Sequence, residues 1–280
     1  MATISPVFVT LFHSEVKHAY QAQMMLRSAV RTKSATGAET VKFPKLGKGV
    51  ASPRTAPSSD VVPMGLAYTP ATVSMLDWNA SEYSDIFNQA KINFEDRSEL
   101  VKAISGAMGR RYDQLIVNAL VAATPTHQIS NDIGGTDTDL NLAKLIEAKR
   151  KMDAANVPPS GRHFLGHTNG QASLLNTTQI TSSDYAVVKA LVRGEVNSFL
   201  GFQFHWMGDY EEGGLPKSTN SRTNFAWHED SVGMAIGIDI RTTIDWIPTK
   251  RSWLVSSDFS GNAVVIDVDG VAEIVTEEPA

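Results

Sequence analysis

His163 and His167 form H-x3-H in "HFLGH", a spacing that on a helix would turn two imidazoles toward one zinc ion. The residues around them read instead as a strand ending at a turn, and no third ligand stands out, so a structural role is expected. "DIGGTDTDLN" (Asp132–Asn141) sets acids between glycines, as calcium loops do. It lacks the D-x-[DN]-x-[DN]-G order and the distal bidentate glutamate, and reads as a solvated turn leading into a helix N-cap. "GKGVAS" (Gly47–Ser52) partly imitates a dinucleotide fingerprint. No buried strand precedes it and no helix follows, so nothing there would hold a phosphate. "HED" (His228–Asp230) invites acid–base chemistry but falls at a turn between β segments, where exposure is the default. The sequence has no G-x-S-x-G elbow, no H-E-x-x-H and no P-loop. It also has no cysteine, which excludes disulfides, thiolate metal sites and cysteine nucleophiles and fits a reducing compartment. An enzyme is not expected, and no catalytic, cofactor or metal residue is assigned.

The elements that would position these residues make an α+β chain. The N-terminal "MATISPVFVTLFHSEVK" lacks the basic start and cleavage site of a signal peptide, and no apolar run is long enough to span a bilayer. "SEVKHAYQAQMMLRSAV" (Ser14–Val30) reads as an amphipathic helix capped by Ser14, with Val16, Tyr20, Met24 and Leu26 on its apolar face. "TVKFPKL" (Thr40–Leu46) and "LAYTPATVSML" (Leu66–Leu76) read as extended. Pro44 and Pro70 lack the ladder N–H and restrict them to an edge or a two-stranded ribbon. Pro53, Pro57 and Pro63 make the tip between them a stiff, solvated loop. Ser81 is expected to cap a short helix over Glu82–Gln89. A long helix should start between Phe94 and Arg97 and end near Ala123, ahead of Pro125, spanning ~40 Å. Gly106 and Gly109 inside it imply either a bend or the close approach of a neighbouring backbone. A helix follows over about Asp139–Ala155, then "RHFLGH" as a strand, a helix capped by Thr168, and another over "SSDYAVVKALV". From Gly194 onward the segments are β-rich, as in the alternation of Ile236, Ile238 and Ile240. The five tryptophans are expected in core or interface. No repeat at a fixed period and no long linker divides the chain.

Charge is unevenly placed. Arg27, Arg31, Lys33, Lys42, Lys45, Lys48 and Arg54 stand against Glu39 alone, a net of +6 in a chain of net −5, which leaves −11 elsewhere. A basic arm on an acidic body suits nucleic acid or the acidic body of another copy. Phe43 is the only aromatic residue between Arg27 and Arg54, which weakens base stacking and favours self-association.

This order of elements carries a resemblance. A helix, a long arm with "FPKLGKG", then "SDIFNQAKINFEDRSELVKAISGAMGRRYDQLIVNAL", resembles the first half of a tailed-phage major capsid protein of the HK97-type fold, nearest to the T7-like podovirus group. "GRHFLGHTNGQASLL", then "ALVRGEVNSFLGFQFHW" and a β-rich end, is similar to that family's central domain. The resemblance covers most of the chain in order, while each motif alone is weak.

The resemblance implies an N-terminal arm and helix over residues 1–40 and an extended hairpin loop over 41–80. A peripheral domain with a spine helix would occupy 81–160 and 246–280, and an axial domain 161–245. It further implies self-assembly as pentamers and hexamers into an icosahedral shell around a phage genome. The partners would be other copies, a separate scaffolding protein, a portal protein, a decoration protein and weakly held DNA, with no membrane. Assembly would take place in the host cytoplasm and the protein would end in the virion capsid. Lys42, Phe43, Lys45, Lys48 and Arg54 would make intersubunit arm contacts, facing Glu95, Asp96 and Glu99 beside a neighbour's spine helix. Three alternatives stay open: an encapsulin-like nanocompartment shell, a soluble metal-dependent hydrolase using His163 and His167, and a nucleic-acid-binding protein using Arg27–Arg54.

Overall fold

The run of apolar residues at three- and four-residue steps between Leu100 and Ala122 folds as predicted, into helix α2 (Asp96–Ala122). Its buried face carries Ile104, Met108, Tyr112, Leu115, Ile116 and Leu120. The computed structural model describes residues 24–54, 56–57, 60–89, 96–176, 198–210 and 212–278. No described helix is long and apolar enough to cross a membrane.

Among the described residues the strands form three sheets. The first has the order β1 (Arg31–Ser34), β11 (Val232–Ile247), β12 (Ser252–Val265), β4 (Asp77–Asp85). β11 and β12 pair antiparallel from Val232↔Val265 to Trp246↔Trp253 and on to Ile247↔Ser252, with irregularities around Ile238. The second is seven-stranded, running β5 (His127–Ile129), β13 (Val271–Glu277), β10 (Ser221–His228), β6 (Arg162–His167), β8 (Phe202–Met207), β7 (Ser198–Phe199), with β9 (Lys217–Ser218) also on β10. The third is a two-stranded ribbon of β2 (Thr40–Leu46) and β3 (Tyr68–Ser74).

Strand alternation divides the interior in two. Leu165, Met207, Phe225, Trp227 and Val271 leave one face of the seven-stranded sheet and join α2 with Met234, Phe259 and Ala263 of the four-stranded sheet. Phe164, Phe202, Phe204, Ala226, Ala272 and Ile274 leave the other face. They pack against α3 (Leu142–Ala154) through Leu145, Ala148 and Met152, and α4 (Thr168–Asn176) through Leu174. Both sheets and α2 therefore share one core, and α3 and α4 cover the far side.

The structure corrects several expectations. Ser81–Asp85 is strand, not helix, because β4 pairs with the edge of β12 over its full length, from Asp77↔Ser260 to Asp85↔Ser252. The short helix α1 covers only Ile86–Gln89, and Asp85 Oδ1 accepts the Phe87 N–H at 2.7 Å. Of the expected N-terminal helix, residues 14–23 lie outside the described residues. The remainder is a single 3-10 turn at Arg27–Ala29 that runs into β1. α3 starts at Leu142, where Asn141 caps it by accepting the Lys144 N–H at 2.9 Å. α4 starts at Thr168 itself, with His167 Nδ1 taking the Asn169 N–H at 3.2 Å. The helix expected over "SSDYAVVKALV" lies outside the described residues. Two sheets link segments far apart in the chain. β11 lies beside β1, and β13 and β5 lie in the sheet of β6. His228 is buried rather than exposed, and its Nδ1 accepts the Asp230 N–H at 3.2 Å.

Candidate functional site

Alternation in "TVKFPKL" sends Val41 and Phe43 to one side of β2 and Lys42, Pro44 and Leu46 to the other. β3 matches it, with Ala71 and Val73 turned inward and Tyr68, Pro70 and Thr72 outward. The inward row sits on a row of small residues in β11, Gly233, Ala235 and Gly237. A Cβ at 233 would lie 2.9 Å from Phe43 Cε1, and one at 237 would lie 3.0 Å from Met75 Cε. The alternation of small residues with Met234 and Ile236 thus gives β11 a notched face for the ribbon and a filled face for α2. Phe43 is 3% exposed, and burying such a ring is worth roughly 1.5–3 kcal/mol.

Ion pairs hold the outer part of the ribbon. Lys45 Nζ lies 2.6 Å from Asp267 Oδ1 and Lys48 Nζ 3.4 Å from Asp269 Oδ2, both in the turn between β12 and β13. Asp269 also accepts from Thr126 Oγ1 at 3.1 Å, and that bond, with Lys48 beside it, keeps its carboxyl below the usual range. Such partly exposed pairs contribute about 0–1 kcal/mol each.

The residues expected at an intersubunit contact differ in what they touch within one chain. Phe43 belongs to the chain's own core, because the strand period turns it inward with Val41. Lys45 and Lys48 meet carboxylates of their own chain, while Lys42 and Arg54 are exposed. Glu95 lies outside the described residues, and so does the side chain of Asp96, which opens α2. Glu99 accepts from Lys102 Nζ at 2.9 Å within α2. Arg27 grips Asp239 with both terminal guanidinium nitrogens, Nη1 and Nη2, at 3.0 and 2.6 Å, so three cations of the basic stretch are engaged by acids of the same chain.

α2 fixes the segment that leads into the ribbon. Gly109 faces Met24, whose Cβ and N would lie 3.1 and 3.3 Å from an added Cβ, so of the two readings of this glycine the close backbone approach holds. One turn on, Asp113 accepts the Met25 and Leu26 N–H groups at 2.9 and 3.0 Å. Trp227 Nε1–H closes the clamp on the Ala29 carbonyl at 2.8 Å. Burial pushes the Asp113 carboxyl up to about 6, although both backbone bonds favour its ionised form. On the same helix Arg110 pairs with Glu212 at 3.0 Å, and Gln114 binds the backbone of Gly214 through both amide atoms.

The histidines are built into the seven-stranded sheet. His163 Nδ1 lies 3.1 Å from His205 Nε2, and the His163 ring stacks on Trp227 at 6.0 Å. Burial lowers both imidazoles, His205 to about 4. His167 instead sits in a charged cluster, 3.3 Å from Glu278 and 3.4 Å from Asp209, with Arg222 Nε 2.8 Å from Glu278. Among the described residues no group of three or more His, Asp or Glu is placed to hold a metal ion. In "DIGGTDTDLN" a lysine supplies the positive charge: buried Lys144 donates its ammonium to the Thr138 and Asp139 carbonyls. Three features that matter here are absent from the expectations drawn from sequence: the Gly-x-Ala-x-Gly stripe of β11, Asp113 and the His163–His205 contact. The stripe was visible as period-two small residues in "GMAIG".

No curated protein matches the chain. In fold it is similar to the head of Helicobacter pylori bacteriophage KHP40, at TM-score 0.79 and 13% identity over 97% of this chain and 96% of that chain. The capsid of Cyanophage P-SCSP1u superposes at TM-score 0.76 and 13% identity, over 98% of this chain and 94% of that one. The capsid of Ralstonia phage GP4 does so at 0.70 and 13%, over 100% and 98%. The phage capsid protein family matches residues 4–278. This match decides against the hydrolase reading and favours a virion over a cellular nanocompartment. The chain belongs to the phage capsid protein family, with an HK97-like fold and a structural, non-enzymatic role in the virion capsid.

Proposed function

We propose that the chain is the shell-forming subunit of a tailed phage of the T7-like podovirus group, assembling in the host cytoplasm as pentamers and hexamers into an icosahedral shell around the genome. One observation carries this reading. The ribbon is seated by a single face, and its other face and tip present exposed apolar side chains, among them Val50 at 81%, Val61 at 92% and Tyr68 at 74%. Exposed apolar side chains in this number, on an arm that also exposes Lys42 and Arg54, suit a neighbouring subunit better than water. The acidic balance of the rest of the chain gives it a complementary partner in a second copy. The T7-like grouping rests on the "FPKLGKG" arm and the spine-helix segment alone.

The domain reading keeps an arm and helix over residues 1–40, an extended loop over 41–80, a peripheral domain with α2 as its spine over 81–160 and 246–280, and an axial domain over 161–245, where copies would converge. A separate scaffolding protein, a portal, a decoration protein and loosely held DNA complete the set of partners. The test is to express the chain with and without a candidate scaffolding protein, and to follow size exclusion by negative-stain electron microscopy. Closed shells or rings of five and six support the reading. A monomer or dimer under both conditions rejects it.

A further inference from the structure

The ribbon has two outer edges, and each is a row of backbone groups able to pair with another strand. Gly47 N–H donates to the Ala67 carbonyl at 2.9 Å and Met75 N–H to the Glu39 carbonyl at 2.9 Å. Antiparallel pairs alternate, so the hydrogen-bonded pairs between these two are Val41↔Val73, Phe43↔Ala71 and Lys45↔Thr69. Pro44 and Pro70, directly opposite each other, therefore occupy a non-hydrogen-bonded pair. No ladder bond is lost there. What is lost is the outward donor, at the same level on both edges.

Two side chains close what the prolines leave. On the β2 edge, Lys33 Nζ donates to the Lys42 carbonyl at 3.1 Å. On the β3 edge, Asn262 Nδ2 donates to the Ser74 carbonyl at 2.9 Å. Lys42 and Ser74 both belong to outward-pointing positions of the alternation, so both bonds occupy acceptors that an incoming strand would use. Each edge thus carries one missing donor and one occupied acceptor.

We infer that the arm is guarded against strand addition on both edges, so that it engages a second copy of this chain through its outward side-chain face and tip and not by extending a sheet. The partner contact falls on Lys42, Leu46, Tyr68 and the tip valines. Pro44 and Pro70 serve twice, as flat apolar surface on that face and as blanks on the edges. The need for such guards follows from copy number: a shell would hold many identical ribbons at high local concentration, and two open edges on one ribbon permit unlimited head-to-tail pairing. This inference rests on the shell reading for its purpose, but its test does not require a shell.

The test uses the full chain as dissociated subunits, with Pro44→Thr made together with Lys33→Ala on the β2 edge, Pro70→Thr made together with Asn262→Ala on the β3 edge, each counted as a single variant, and the double variant that combines both edges. Threonine keeps strand propensity and restores the N–H. Each single variant opens one edge and is expected to stop at dimers by sedimentation velocity. The double variant opens both, and is expected to give a several-fold rise in void-volume material that binds thioflavin T. Unchanged melting temperatures in the single variants would show that the seat of Phe43 is intact. Variants as monodisperse as the parent at equal concentration would overturn the inference, as would polymer from one single variant alone. A parent chain that never forms shells would reject the proposed function and leave this result standing.

Discussion

Phe43 and the lysines beside it divide the labour on the ribbon by depth. The ring fills a notch that only glycine leaves open, whereas Lys45 and Lys48 make ion pairs within reach of water. Phe43→Ala should cost about 3 kcal/mol in chemical denaturation, from lost burial and the cavity left behind. Lys45→Ala and Lys48→Ala should each cost under about 1 kcal/mol. Titration separates two other residues, partly buried His205 and buried Asp113. His205 is lowered to about 4 from an unfolded value near 6.5, so its neutral form stabilises the fold above pH ~6.5, and that contribution is lost as pH falls toward 4. Asp113 runs the other way. Its folded value, about 6, lies above the unfolded 3.8, so ionisation opposes folding above pH ~6 and relief arrives as pH falls through that window. Thermal melts between pH 7 and 4 should therefore lose part of their acid sensitivity in His205→Gln and gain acid sensitivity in Asp113→Asn. The same change in both variants would contradict the assignment.

At the scale of elements, α2 is a clamp as well as a core helix. Gly109, Arg110, Asp113 and Gln114 hold the incoming segment at residues 24–26 and the loop at 212–214 from one stretch of helix. Gly109→Leu leaves no space for Met24, so the amides of Met25 and Leu26 should lose their acceptor and exchange faster with solvent. The α3 amides should stay protected, because α3 covers the far side of the seven-stranded sheet; loss of protection there as well would refute a local role. Why some elements were legible in the sequence follows from the same contacts. α2 and the ribbon announce themselves through period and through prolines, which are local signals. β4 does not, since Ser81 and Glu82 imitate a helix start and only pairing with β12, far along the chain, decides for strand. The ribbon's seat was equally hidden. Glycines at 233 and 237 look like weak points until Phe43 and Met75 lie across them. His163 and His205 meet because β6 and β8 are neighbours in a parallel pair, which no spacing in sequence reveals.

At the scale of the whole molecule, the arm has a fixed half and an exposed half, and the proposed assembly role falls to the exposed one. The fixed half ends where β2 and β3 end, at Leu46 and Tyr68, and holds the buried contacts of Val41, Phe43 and Val73. Beyond it, the described residues between Gly47 and Ala67 are almost all exposed, so they add little to the fold of one chain. Deleting residues 49–63 should therefore shift the melting temperature of the isolated subunit by no more than a few degrees. In an assembly the same residues would be buried once per subunit, and weak contacts repeated around a closed shell sum to a stable whole. The deletion should then abolish shells while leaving a folded, soluble subunit, read by circular dichroism and sedimentation on one preparation. Because the arm carries cations toward an acidic body, shell yield in the intact chain should also fall with rising salt, more steeply than subunit stability does. A deletion that unfolds the subunit would show the tip to be part of the chain's own core. A deletion that assembles normally would show that neighbours are joined elsewhere.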